Sequence, residues 1–170
     1  MTAFEFRDGL SVAPSAPGDA DELARDMRRE DRVELRRWTG QTPLYEVREA
    51  FRLSDVCFTA RLPGGRILSM FGGKVDNYVD ATGVVWELSS SLADEHPVAF
   101  ARASKTCLSL VERALPDAET LFNYVDVAYA RAVRWIGWLG ASFGAERFGG
   151  PYGGRFARFT IVNPYYGRKD

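Results

Sequence analysis

The segment from Thr120 to Phe148 leaves this chain the fewest options. Thr120 to Val125 mixes apolar, β-branched and aromatic residues in the manner of a strand. From Val127 to Leu139 the residues Ala128, Ala132, Trp135, Ile136 and Leu139 recur at helical spacing, and Gly140 stands where a helix C-cap belongs. Phe143 to Phe148 then resumes an extended pattern. Strand, helix and strand in that order call for a helix packed across a sheet. Trp135 falls on the apolar stripe and reads as core. Trp138 falls off it and is a candidate partner contact.

The rest of the chain supplies the other layers. Phe4 to Val12 is read as a first strand, ended by the Pro- and Gly-bearing stretch Ala13 to Gly18. Asp19 and Glu22 have the spacing of an N-cap and its reciprocal partner, which starts a helix through Leu23 and Met27. A second helix is predicted at about Asp31 to Trp38. The alternating acids and arginines of these two helices read as a solvated face with weak ion pairs. Thr42-Pro43 opens a third helix, with Leu44, Val47 and Phe51 along one side. Val56 to Ala60 and Ile67 to Phe71 flank Leu62-Pro63-Gly64-Gly65 as a β-hairpin, which Gly72-Gly73 is expected to end. Val84 to Leu88 is a central strand, Ser89 to Glu95 a connector, and Pro97 opens a long helix to Leu115 striped by Phe100, Ala103, Cys107, Val111 and Ala114. After the Gly-rich turn Gly149 to Gly154 comes a last strand, Phe156 to Val162, and a polar tail from Asn163 to Asp170. The expected sheet is mixed: antiparallel in the hairpin, parallel across the central crossover.

At 170 residues the chain suits one domain, 1–170, around a single core. Its 22 basic and 23 acidic side chains leave a net charge of -1, so no overall field draws in nucleic acid or an anionic membrane. Cys57 and Cys107 sit in apolar patterns and are expected as free, buried thiols in a reducing compartment. No secretory leader pattern opens the chain, and no apolar run approaches the roughly 18 residues of a membrane span. His96 has no second histidine or cysteine for company, so no metal site is expected.

The element order, together with Val125-Asp126, Ala132, Trp135 and Trp138-Leu139-Gly140, resembles the GNAT acyltransferase fold. That resemblance implies an α/β (α+β) protein with a mixed central sheet of six to seven strands and about four to five helices. More closely, Pro17 to Ala24, Val85 to Leu88, Asn123 to Asp126 and Arg134 to Gly140 look like the internal virion and morphogenesis proteins of short-tailed phages, a GNAT-like group. It implies a protein of the infected bacterial cytoplasm, incorporated into the virion, with other virion or assembly proteins as partners. Tyr152, Tyr165 and Tyr166 are candidate interface anchors.

The GNAT fold implies acetyl-CoA, with its pyrophosphate held by backbone amides where the central strand meets the next helix. Here that stretch, Ser89 to Pro97, has no glycine and carries Asp94 and Glu95. Leu88, Ser89, Ser90 and His96 are the positions that would bind the cofactor. Two carboxylates beside a pyrophosphate oppose binding, so no cofactor is the main expectation. In the late signature Tyr129 stands for the family's Asn and Ile136 for its Tyr. Glu87 is the best general base, with pointing to solvent or pairing with an arginine as its alternative; Tyr129 or Tyr124 is a relocated acid or sheet packing. Asp126 is a second carboxylate or the cap of the following helix. Three functions follow: a degenerate GNAT-like scaffold that binds phage proteins, an N-acetyltransferase for an amine, and a DNA-binding protein using the basic stretch Arg147 to Lys169.

Overall fold

The structure, a computed structural model, describes residues 4–168, so Lys169 and Asp170 of the tail lie outside the described residues. The chain runs β1 (Phe4–Glu5), β2 (Ser11–Pro14), α1 (Pro17–Arg25), α2 (Arg29–Thr39), α3 (Pro43–Leu53), β3 (Val56–Arg61), β4 (Ile67–Asn77) and β5 (Thr82–Ser89). It continues through α4 (Leu92–Glu95), α5 (Pro97–Ala114), β6 (Thr120–Asp126), α6 (Ala130–Trp138), β7 (Ser142–Gly149) and β8 (Gly154–Val162). The strands form one sheet in the order β1-β2-β3-β4-β5-β6-β8-β7. Among the described residues only the β5–β6 pair is parallel, as the crossover through α5 requires.

Among the described residues the sheet has eight strands, one more than the upper sequence-based count of seven, because Asp8-Gly9 does not sit inside a single strand. Gly9 takes a φ of 80° and turns Phe4–Glu5 back onto Ser11–Pro14 as a hairpin. The first helix also starts earlier than expected. Pro17 is its first residue, and Asp19 lies inside the first turn, where its carboxylate accepts from the Ala16 amide at 3.1 Å. Thr42 caps α3 as its sequence predicts, accepting from the Tyr45 amide at 3.3 Å. The connector after β5 is not a plain loop, since Leu92–Glu95 closes one helical turn.

Gly72-Gly73 lies within β4 instead of ending it. A side chain on Gly72 would place its Cβ 2.5 Å from the Trp86 ring, and one on Gly73 would meet Val111 at 2.9 Å. Both glycines are therefore packing sites for large neighbours on the two faces of the sheet. Trp86, seated on Gly72, donates to Ser54 Oγ at 2.8 Å and so fastens the end of α3 to the sheet.

Two apolar clusters cover the two faces. One joins α5 and α6 to the sheet through Phe71, Val85, Cys107, Val111, Leu121 and Ile136. The other joins α1 and α3 through Leu23, Met27, Val47, Met70 and Leu88. Cys57 and Cys107 are free, and burial raises both thiols, Cys57 to about 11. Among the described residues no helix is long and apolar enough to cross a membrane.

Candidate functional site

β5 and β6 stay paired for three positions only, Thr82 with Thr120, Gly83 with Leu121 and Val84 with Phe122. Beyond them the strands part. Asn123 Nδ2 donates to the Val85 carbonyl at 2.8 Å across the first open step, where the ladder bond is lost. The gap opens into a cleft of about 460 Å³, walled by α2, α3, β5, β6 and α6. Divergence of the central parallel strands thus opens a concavity at their C-terminal ends, where α/β sheets bind ligands.

Three acids converge on the cleft from two elements. Asp31 and Glu34 come from α2, and Glu87 from β5. Asp31 is buried and accepts from the Ser89 amide at 2.8 Å and from the Tyr129 hydroxyl at 3.3 Å. Glu34 accepts from the Asp126 amide at 2.7 Å, and Glu87 accepts from Ser89 Oγ at 2.8 Å. Arg28, also buried, donates to the Tyr129 hydroxyl at 3.1 Å. Burial raises all three carboxyls: Glu34 to about 8, Glu87 well above its usual range with the Asp31 charge adding, and Asp31 upward against the pull of Arg28. Burial and mutual repulsion thus both favour the protonated form in this group of close carboxyls, while Arg28 opposes it at Asp31. The Tyr129 hydroxyl is raised too, by burial and then by Asp31.

The sequence-predicted site residues divide. Glu87 and Tyr129 meet through Asp31, and Glu87 is half-buried in the charge field of Arg28 instead of facing open solvent. Tyr124 lines another wall, stacked on Trp38 at 5.3 Å beneath the Arg147 guanidinium, and makes no bond to Glu87. Asp126 is buried, pairs with Arg37, and accepts from the Ala128 amide at 2.9 Å. It caps the turn ahead of α6, and Tyr129 takes the N-cap position proper.

Arg28, Asp31 and Glu34 are the residues that the sequence reading assigned to a solvated face, and the structure corrects that assignment. Their spacing carried a signal. Asp31, Glu34, Leu35 and Trp38 fall on one side of α2, whereas the apolar Val33 is half exposed. A helix whose inward side is acidic and aromatic is a candidate site helix.

The connector decides whether acyl-CoA fits. Leu88 is buried in the core beside the cleft. The Ser89 amide donates to Asp31, that of Ser90 to the Leu68 carbonyl at 3.0 Å, and that of Ser91 to the Asp26 carbonyl at 2.8 Å. The amides of Ala93, Asp94 and His96 donate to Ser90, Ser91 and Leu92. His96 is exposed and lines a separate hollow of about 410 Å³ with Asp8 and Leu10. Asp94 extends a carboxylate between Arg28 and Arg131. The amides of Ser89, Ser90, Ser91, Ala93, Asp94 and His96 therefore have partners within the protein, and the Asp94 charge occupies the approach, so these connector residues do not fit the cofactor's phosphates. Among the described residues no cluster of three or more His, Cys, Asp or Glu could hold a metal ion.

No protein-family model and no curated protein matches the chain. Solved structures do. The ribosomal-protein-S5-alanine acetyltransferase from Vibrio fischeri superposes with a TM-score of 0.71 at 15% identity, covering 99% of this chain and 100% of that one. Spermidine N-acetyltransferase from Vibrio cholerae, in complex with CoA and spermine, gives 0.65 at 12% identity over 94% of this chain and 98% of that one. These likenesses, with the parted β5–β6 pair, place the chain in the GNAT fold.

Proposed function

We propose that this chain is a GNAT-fold binding protein that does not use acyl-CoA. In this reading it serves as a scaffold for other proteins of a phage particle, as its resemblance to the virion and morphogenesis group implies. The observation that carries the first part is the connector, whose amides from Ser89 to Ser91 are bonded within the protein. Exposed aromatics supply surfaces for partners: Phe148 is 77% exposed on the outer strand β7, and Tyr152, Tyr166 and Trp138 are also largely exposed. The scaffold would act in the cytoplasm of the infected cell and in the virion.

A second reading is an N-acetyltransferase acting on an amine. Glu34 and Glu87 favour it, because carboxyls raised by burial are suited to taking a proton from an ammonium group. Tyr129 would then be the acid, with Tyr124 and Trp38 as apolar walls for the alkyl part of the amine. The acetyltransferases that share the fold support this reading more than the first. The connector weighs more, since it belongs to this chain and not to a neighbour at 15% identity.

Amine-dependent release of free CoA thiol from acetyl-CoA separates the two. With a panel of primary amines the expected rate does not exceed the buffer rate. Turnover that Glu87→Gln abolishes would establish the second reading.

A further inference from the structure

We propose that Arg28 and Arg131 form an oxyanion site at the crevice between the β5–α5 connector and α6, and that the Asp94 carboxylate occupies it as an internal ligand. The ligand class is an inorganic phosphate, a pyrophosphate or a phosphate ester. This deepens the reading that the connector seats no external anion, and rests on it.

Three features build the site. Arg28 is 8% exposed, and its guanidinium is oriented by the bond to Tyr129 and by the Phe100 ring, 5.0 Å away. Its Nε is buried without a hydrogen-bond partner. Among the described residues the acceptor that faces that nitrogen as an ion pair is Asp94 Oδ1, at 3.4 Å, which makes no hydrogen bond to it. Arg131, in the first turn of α6, closes the other side at 2.8 Å from the same Asp94 oxygen. A single carboxylate oxygen therefore forms an ion pair with each of two guanidinium groups and leaves the buried Arg28 Nε without a hydrogen bond. A tetrahedral oxyanion, with three or more acceptors and greater charge, can meet both at bonding distance.

The surroundings set the strength. Asp31 and Glu87 act on Arg28 from behind, and Glu30 lies 3.9 Å from Arg131, so the site is not strongly cationic. Asp94 is tethered and thus present at high effective concentration, which makes it a strong competitor against a free anion. Its side chain is 40% exposed, and that of Arg131 is 52% exposed, so solution ligands can reach the pair. Asp94 accordingly shuts a site that Arg28 and Arg131 would otherwise offer.

The test is calorimetric titration of inorganic pyrophosphate, at constant ionic strength, into the full chain, Asp94→Ala, and Asp94→Ala with Arg131→Ala. The expected result is binding at least tenfold tighter in Asp94→Ala than in the unaltered chain, lost again in the double variant. Pyrophosphate should also raise the melting temperature of Asp94→Ala alone. Asp94→Asn keeps the shape and removes only the charge, and carries the same comparison should the alanine variant fail to fold. A folded Asp94 variant that binds no tighter than the unaltered chain would overturn the proposal, as would binding that survives loss of Arg131. Either result would leave the bonded amides of Ser89 to Ser91 and the acetyl-CoA turnover assay as independent tests of the proposed function.

Discussion

Asp31→Ala is expected to destabilise the fold by about 3 to 5 kcal/mol, the range for removing one partner of a buried charge pair. Asp31 accepts from the Ser89 amide and the Tyr129 hydroxyl while offsetting the buried Arg28. Its loss leaves the amide without an acceptor and Arg28 with only Asp94 and Glu87 for compensation. Glu87 can ionise more readily once its neighbour is gone, which favours the lower end of the range. At roughly 2 to 4 °C per kcal/mol for a chain of this size, the melting temperature should fall by about 10 °C. Asp31→Asn retains an acceptor and should lose less. A change below about 1 kcal/mol for Asp31→Ala would mean that this cluster does not fasten α2 to the end of β5.

Stability should decrease as pH rises from about 5.5 to 8. Burial raises Glu34 from 4.5 to about 8 and Glu112 to about 7, and Asp31 and Glu87 shift in the same direction. Between the unfolded and folded values, the native chain retains protons that the unfolded chain has released. Linkage then makes the unfolding free energy fall with pH, by about 1.4 kcal/mol per unit for one such group. Glu34 and Glu112 together should lower it by on the order of 2 to 4 kcal/mol, allowing for the partial exposure of Glu34. The carboxylates lowered by arginine partners, Asp8, Asp21 and Glu49, act below this window and favour the folded state only above their unfolded values. Urea midpoints at half-unit steps of pH provide the measurement. Glu34→Gln should make the curve shallower above pH 7, where Glu112 is at least half titrated. Stability that is level or increasing across the window would refute the assignment.

Much of the architecture was legible because it rests on local signals. The helical stripe from Phe100 to Val111, the Pro63-Gly64-Gly65 hairpin and the Thr42-Pro43 start all use residues close in sequence, and all three stand in the structure. Gly72-Gly73 was misread as a strand end because the reasons for those glycines are Trp86 and Val111, which only the fold brings against them. The site was legible in part. Glu87 and Tyr129 could be singled out from their places on a central strand and at a helix start. Arg28, Asp31 and Glu34 were hidden because a run of acids and arginines on a short helix reads the same whether water or a cleft covers it. The Asp26–Arg28 stretch packs along the end of β5, through Met27 with Ser90, and takes Arg28 and Asp31 out of water while Arg29, Arg32 and Arg36 stay exposed. The acidic, glycine-free connector was legible as sequence, whereas the partners of its amides, Asp31, Leu68 and Asp26, come from other parts of the chain.

Calorimetric titration with acetyl-CoA, with Glu87→Gln as the companion sample, tests the central claim most directly. The closed connector predicts no saturable heat at millimolar cofactor, the same for both samples. Saturable binding at micromolar concentration would show that the chain grips the cofactor by groups other than the Ser89 to His96 amides, and would contradict the account.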